Sequence, residues 1–362
     1  MITVLTICSV NYLAQARTLG DSLREHNPDY HFVIGLVDRW PTSLAVSNGQ
    51  HYEMVPVNDL EIPEFEDMVS RYTIVELNTA VKPFYMEYLY QRDSKVEAVI
   101  YFDPDILILN SLKPIQDKLN QYDIILTPHC CSYNIDDQAA GYELNMLGTG
   151  IYNLGFIASS RTQNTYKFLQ WWKKRLEKYC YYRPGRGEFV DQLWVMLAPL
   201  YFDRVFVEKN PGYNMAYWNL TERKLSIIDG RYCVNRIHNL LFYHFSSYRP
   251  EEPTYLSIRS PSVLLSEHPE LAPLCADYKD RLIQHGYTFL RDHECAFYSK
   301  RAEPPPTPVM TQTPFKKFVK RVARGLIRLP PARIQQYCQK MAWFIAENTP
   351  VVTNRTESKR TE

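Results

Sequence analysis

The amino-acid sequence predicts an α/β fold on a mixed, mainly parallel central sheet flanked by helices, and three observations carry that expectation. Residues 2–37 read as strand, helix, strand, the unit that joins parallel neighbours. Residues 96–109 read as two apolar runs broken by an acidic turn, Asp103-Pro104-Asp105. The composition, 45% hydrophobic and 22% charged over 362 residues, is that of a globular chain long enough for one large domain plus appendages.

Residues 2–8 are β-branched and apolar without alternation, as a strand buried on both faces requires. The polar turn Ser9-Val10-Asn11-Tyr12 follows, and then Ala16, Leu19 and Leu23 recur at helical spacing until Asn27-Pro28 ends the helix. Residues 32–37 form a second buried strand closed by Asp38. Residues 72–91 are a Tyr- and Leu-rich helical stretch, in which Pro83 fits just after a turn or at a first helical position. Strands are expected at 122–127 and 151–158, and helices at 162–179 and 189–197. From residue 250 the chain becomes Pro-rich and less periodic, and residues 303–308 form a stiff, extended stretch. No internal repeat is visible. The expected organisation is a domain over 1–250, its extension over 251–302, a Pro-rich linker over 303–314 and a basic helical tail over 315–346.

The formal net charge of +1 conceals an asymmetry. Residues 301–362 hold 12 Lys+Arg and 4 Asp+Glu, a surplus of +8, which leaves the remainder of the chain at −7. An acidic body argues against a nucleic-acid partner, and a basic tail suggests contact with something anionic. The eight cysteines are scattered with no CxxC pair, so neither a zinc site nor a disulfide framework is indicated. The N-terminal residues lack the basic start of a secretion signal, and no apolar run reaches about 18 residues. The expected location is the reducing cytoplasm, with the tail allowing a peripheral position at the inner face of the cell membrane.

Chemistry centres on Asp103 and Asp105. Two carboxylates two residues apart can share one hard cation, Mn²⁺ or Mg²⁺. About one Asp-x-Asp is expected by chance in a chain this long, so the setting matters more than the motif. Here it follows a buried strand, at the end where open α/β sheets bind ligands; the alternative is an ordinary polar turn. Asn11 and Tyr12 can meet a nucleotide base or belong to a helix start. Lys82 suits a phosphate, unless it is simply a surface lysine. Gly148-Thr149-Gly150 and Asn153-Leu154-Gly155 lack the spacing of a Walker or dinucleotide loop, and their glycines either admit a ligand or relieve a bulge. Asp191 and Gln192 lie on an expected helix, where an aspartate is usually solvated. His244, among aromatics, reads as a ligand or as a packed core histidine.

In this order the motifs resemble the retaining nucleotide-sugar glycosyltransferases of the A-type fold, and family 8 in particular. Asn11-Tyr12 with Leu19 and Ser22-Leu23 is similar to that family's base-binding turn and first helix. Lys82 stands where the family usually carries an arginine, and Val99 to Ile108 resembles its metal-site strand. Tyr152-Asn153-Leu154-Gly155, Asp191-Gln192 and Pro211-Gly212-Tyr213-Asn214 resemble its later segments, and His244-Phe245 with Arg249-Pro250 its C-terminal motif. The resemblance covers roughly residues 1–250. It implies a Rossmann-like nucleotide-diphospho-sugar transferase domain and a UDP-sugar donor. It also implies a metal held by Asp105 and His244, with Asp103 on the ribose or in the metal shell, and a glycan or lipid-linked acceptor. Lys82 and Arg249 would face the diphosphate, Asn153 and Gly155 would lie beside the donor, and Asp191 and Gln192 would orient the sugar. The departures are Lys82 for arginine, Ser247 for the usual glycine, a loop one residue shorter, and no tryptophan after Pro250.

In the tail, Phe315, Phe318, Val319, Val322, Leu326 and Leu329 fall on one helical stripe, with six Lys and Arg on the other face. That pattern suits an interfacial helix on anionic lipid, or alternatively a helix docked on protein. Two other function classes compete. A metal-dependent nucleotidyltransferase would need a basic, Gly-rich loop near the start, and Ser9 to Ala16 contains no Gly, Lys or Arg. The second is a non-catalytic carbohydrate- or partner-binding protein that kept the fold.

Overall fold

In chain order, the computed structural model, which describes residues 1–41, 52–133 and 137–297, begins with β1 (Ile2–Cys8), α1 (Leu13–His26), β2 (His31–Leu36) and β3 (Glu53–Pro56). Three helices follow, α2 (Phe65–Arg71), α3 (Ile74–Ala80) and α4 (Lys82–Arg92), and then β4 (Ala98–Phe102), β5 (Ile106–Ile108), α5 (Lys113–Leu119) and β6 (Ile124–Pro128). Next come α6 (Asp137–Thr149), β7 (Tyr152–Ser160), α7 (Gln163–Tyr179) and the short hairpin β8 (Tyr182–Arg183) and β9 (Glu188–Phe189). The remaining elements are α8 (Gln192–Val195), α9 (Ala198–Tyr201), β10 (Val205–Val207), β11 (Leu225–Ile228), β12 (Arg231–Val234), β13 (His238–Asn239), β14 (Phe242–His244), α10 (Ala272–Gln284) and α11 (Tyr287–Leu290). The segments 303–314 and 315–346, expected as linker and tail helix, lie outside the described residues. No helix among the described residues is long and apolar enough to cross a membrane.

Seven strands form one sheet in the order β10-β6-β7-β4-β1-β2-β3. Only β7 runs against its neighbours β4 and β6; the other pairings are parallel. The uninterrupted apolar strands follow from burial on both faces. Along β4, Ala98, Ile100 and Phe102 pack toward α1, α5 and α10, while Val99 and Tyr101 pack toward α3, α4 and α7. Each fully buried Leu, Ile, Val or Phe side chain contributes about 1.5–3 kcal/mol.

Three local differences from the sequence reading have clear causes. The stretch 72–91 is two helices, because a Thr73–Glu76 capping box starts α3 and the chain turns at Val81 before Lys82-Pro83 opens α4. The expected helix 189–197 shrinks to Gln192–Val195, because Glu188–Phe189 pairs with β8 and Val190 adopts φ 40°. Beyond residue 250, Leu274, Cys275, Tyr278 and Leu282 form the buried stripe of α10 against α1, a periodic pattern inside a Pro-rich region.

Candidate active site

Asp103 and Asp105 sit where β4 ends and the chain reverses into β5. The turn is fixed by backbone: Asp103 N–H donates to Gly155 O of β7 (2.8 Å), and Ile106 N–H to Asp103 O (3.2 Å). A small antiparallel pairing then explains how a residue distant in sequence arrives here. Strand β14 pairs with β5 in the register Phe242–Ile108, Tyr243–Leu107 and His244–Ile106, and Phe245 N–H donates to Asp105 O (2.8 Å). His244 Nε2 consequently lies 3.0 Å from Asp105 Oδ1 and 3.9 Å from Asp103 Oδ2.

One ligand atom from each of these three residues lies within 4.8 Å of the others. Two carboxylates and an imidazole suit a divalent cation that accepts oxygen and nitrogen ligands. His244 is 3% exposed and its Nδ1 has no hydrogen-bond partner, so packing rather than a second hydrogen bond orients the ring. The β14–β5 ladder, the edge of Trp218 (ring centroids 5.2 Å apart) and the bare backbone of Gly155 confine it. A Cβ at Gly155 would collide with His244 Cε1 and stand 2.7 Å from Nδ1 and 2.8 Å from Asn153 Oδ1. Gly155→Ala should therefore displace the ring and weaken divalent-cation binding by roughly tenfold or more while the sheet persists; titration with Mn²⁺ alongside circular dichroism checks both halves.

Beside this cluster lies a second, buried charge network. Lys82, 4% exposed, is no surface lysine: its Nζ is 3.0 Å from Asp191 Oδ2 and 3.3 Å from Asp103 Oδ1, and donates to Leu154 O at 2.9 Å. It also lies 4.6 Å from the centre of the Tyr101 ring, whose hydroxyl donates to Asp103 Oδ1 (2.6 Å). Burial works against the Lys82 charge, but Asp103 and Asp191 outweigh it and raise its pKa. Asp191 is 2% exposed, far from the solvated helical aspartate its sequence context suggests. Val190 at φ 40°, a strained value for a β-branched residue, turns the chain just before this inward aspartate.

Burial pushes the Asp191 carboxyl up to about 6, with Lys82 opposing. An unfolded aspartate titrates near 3.9, so between about pH 4 and 6 the folded chain binds more protons than the unfolded one. Stability is thus lost as pH rises through that window. Relative to Asp191→Asn, the wild type should lose roughly 2–3 kcal/mol between pH 4 and pH 7; urea denaturation of both at the two pH values measures it.

Both clusters open into one cavity of about 760 Å³ at the C-terminal ends of β1 and β4. Asn11 and Tyr12 line it from the turn after β1, which Asp38 holds by accepting from Val10 N–H (3.1 Å). Asn153 and Gly155 line it from β7; Asn153 Oδ1 accepts from Asn214 Nδ2 (3.0 Å) and from Gly155 N–H (3.1 Å). Gln192 donates to Thr149 O (2.5 Å) and packs on Gly150, whose φ of 116° suits only glycine. Arg249, expected to face the diphosphate, is not on the cavity wall; it pairs with Glu252 at 3.2 Å. The cavity also has walls that sequence reasoning missed: His129, Tyr142 on α6, Trp218, and Arg259 from beyond residue 250. No motif marks these residues, and only the fold brings them together.

No protein-family model matches the chain. It is similar to two uncharacterized proteins of Bacillus subtilis (strain 168). YfnF is 27% identical over 252 residues, covering 67% of this chain and 80% of that protein. YfnD is 26% identical over 246 residues, covering 67% and 76%. Among solved structures it is similar to the galactosyltransferase LgtC in complex with donor and acceptor sugar analogs, at 15% identity and a TM-score of 0.45, over 77% of this chain and 95% of that one. It is also similar to the glycosyltransferase GlyE of Streptococcus pneumoniae TIGR4, at 12% identity and a TM-score of 0.45, over 81% of this chain and 65% of that one.

Proposed function

We propose that this chain is a metal-dependent glycosyltransferase that moves a sugar from a nucleoside-diphosphate donor, a UDP-sugar, to a glycan or lipid-linked acceptor with retention. The observation that carries the reading is the convergence of Asp103, Asp105 and His244 on the wall of a large cavity at the C-terminal strand ends. Asp105, His244 and the free Oδ2 of Asp103 are the groups that would hold Mn²⁺ or Mg²⁺, since Asp103 Oδ1 is already engaged by Lys82 and Tyr101. When bound, the cation supplies Lewis-acid stabilisation of the negative charge that gathers on a departing diphosphate.

The remaining roles belong to the chain itself. Asn11 and Tyr12, in the turn after β1, offer an amide and a ring to the base. Asn153 and Gly155 line the floor, where the missing side chain of Gly155 leaves room for both His244 and a ligand. Asp191 presents a carboxylate toward positive character at the sugar ring, and Gln192 positions the sugar. Lys82 keeps the two aspartates close together and limits their mutual repulsion. Screening UDP-sugars for slow hydrolysis with Mn²⁺ and with EDTA tests the reading; turnover of at least one, lost in EDTA, is expected. Equal rates with and without metal, or none for any donor, would rule it out.

The basic segment 315–329 fits a peripheral attachment to anionic lipid that would bring the cavity to a membrane-borne acceptor. Sedimentation of the full chain with anionic vesicles, but not with neutral ones, is the expected result; equal, negligible binding to both would exclude it.

A further inference from the structure

We propose that Arg259, which lies outside the family-like region, is the side chain that grips the diphosphate of the donor, in the place that sequence resemblance gives to Arg249 and Lys82. The inference rests on the nucleotide-sugar reading above and assigns its anion contact.

Among the described residues, only two lysines or arginines line the cavity, Lys82 and Arg259. Lys82 is spent within the protein: its ammonium faces Leu154 O, Asp103 and Asp191, which account for its three protons. Arg249 is off the wall and paired with Glu252. Arg259 differs from both. It is exposed, it borders the cavity, and its guanidinium makes no hydrogen bond or ion pair with any described residue. An uncommitted guanidinium on the rim of a site carrying two acidic metal ligands is suited to an anion, because its planar fork can bind a phosphate through two parallel hydrogen bonds.

The loop carrying Arg259 is built rather than loose. Tyr255 and Leu264 form an antiparallel bridge, and Leu256 N–H donates to Val263 O (3.2 Å). Leu256 and Ser257 are buried, and Arg259 N–H donates to Ser257 Oγ (3.2 Å). Ile258 N–H donates to Ser247 O (3.2 Å), which ties the loop to the turn just after β14 and therefore to the strand that supplies His244. Arg259 is thus held on the same short stretch of framework as the metal cluster. A guanidinium carried on this built loop at the cavity rim would share the diphosphate charge with the cation, so no second buried lysine is needed.

Calorimetric titration of the full chain with UDP in Mn²⁺ tests this on wild type, Arg259→Gln, Arg259→Lys and Arg249→Gln. Arg259→Gln should weaken UDP binding roughly ten- to hundredfold, the loss of charge-assisted hydrogen bonds to an anion. Arg259→Lys should recover part of it, and Arg249→Gln should cost less than Arg259→Gln. The melting temperature of ligand-free Arg259→Gln should match wild type, since the side chain holds no partner in the fold. UDP binding by Arg259→Gln within about twofold of wild type would overturn the inference, as would an equal or greater loss in Arg249→Gln. A wild-type chain that fails to bind UDP with Mn²⁺ would instead overturn the donor reading, and this inference with it.

Discussion

Lys82→Met is expected to destabilise the fold by about 3–5 kcal/mol, the cost of leaving buried charges without their partner. Lys82 and Asp191 are both almost fully buried, and the lysine stands between two carboxylates. A methionine of similar length fills the space but leaves Asp191 and Asp103 facing each other with no cation between them. Desolvation already raises Asp191 with the lysine present, and without it the carboxyl must take up a proton or draw in water. Two comparisons separate charge from packing. Lys82→Met with Asp191→Asn should recover a substantial part of the loss, because the uncompensated charge is gone. Asp191→Asn alone should be milder at neutral pH, since Lys82 keeps Asp103 as a partner. Urea denaturation at pH 7 measures all three; a Lys82→Met chain as stable as wild type would mean that water, not protein, balances these charges.

Asp105→Ala is expected to reduce Mn²⁺-dependent donor binding and turnover by more than roughly a hundredfold, since even outer-shell partners of metal sites are worth ten- to hundredfold. Asp105 is one of three possible ligands and also the anion that pairs with His244 at 3.0 Å. Its backbone carbonyl, which accepts from Phe245 N–H, is untouched by the substitution, so the β14–β5 pairing and the position of His244 should persist. The defect should accordingly appear in metal-dependent readouts with little change in melting temperature. His244→Ala should show the same separation. Asp105→Ala with wild-type metal response would remove the carboxylate pair from the proposed chemistry.

Much of this arrangement is legible in the sequence, for reasons of local physics. The β1–α1–β2 unit shows in unbroken apolar runs and helical spacing, and the acidic turn after β4 shows because charged residues rarely interrupt a buried strand. His244 is legible as a metal ligand through the resemblance of His244-Phe245, but by itself it is one histidine among aromatics; what joins it to Asp105 is the β14–β5 register, a non-local pairing that no local pattern encodes. Sequence offers Lys82 as a phosphate contact or a surface lysine but not as the centre of a buried charge network, because burial of a lysine depends on where its counter-ions come from, and Asp191 is more than a hundred residues away. The position of Arg249 off the cavity wall has the same origin. Sequence order put a basic residue after His-Phe, whereas the fold turns Arg249 outward to Glu252 and brings Arg259 back to the cavity on the next loop. The hairpin at Tyr182–Phe189 and the walls from α6 and Trp218 went unseen because lining a cavity imposes no periodicity.

Asp103, Asp105 and His244 are proposed to bind a divalent cation as part of a nucleotide-diphosphate site. Calorimetric titration of the wild-type full chain with UDP, in Mn²⁺ and in EDTA, tests it most directly. Binding that is strong with Mn²⁺ and at least tenfold weaker without it, on the order of 1.4 kcal/mol or more, is the expected result. UDP affinity that is the same in both conditions would contradict it.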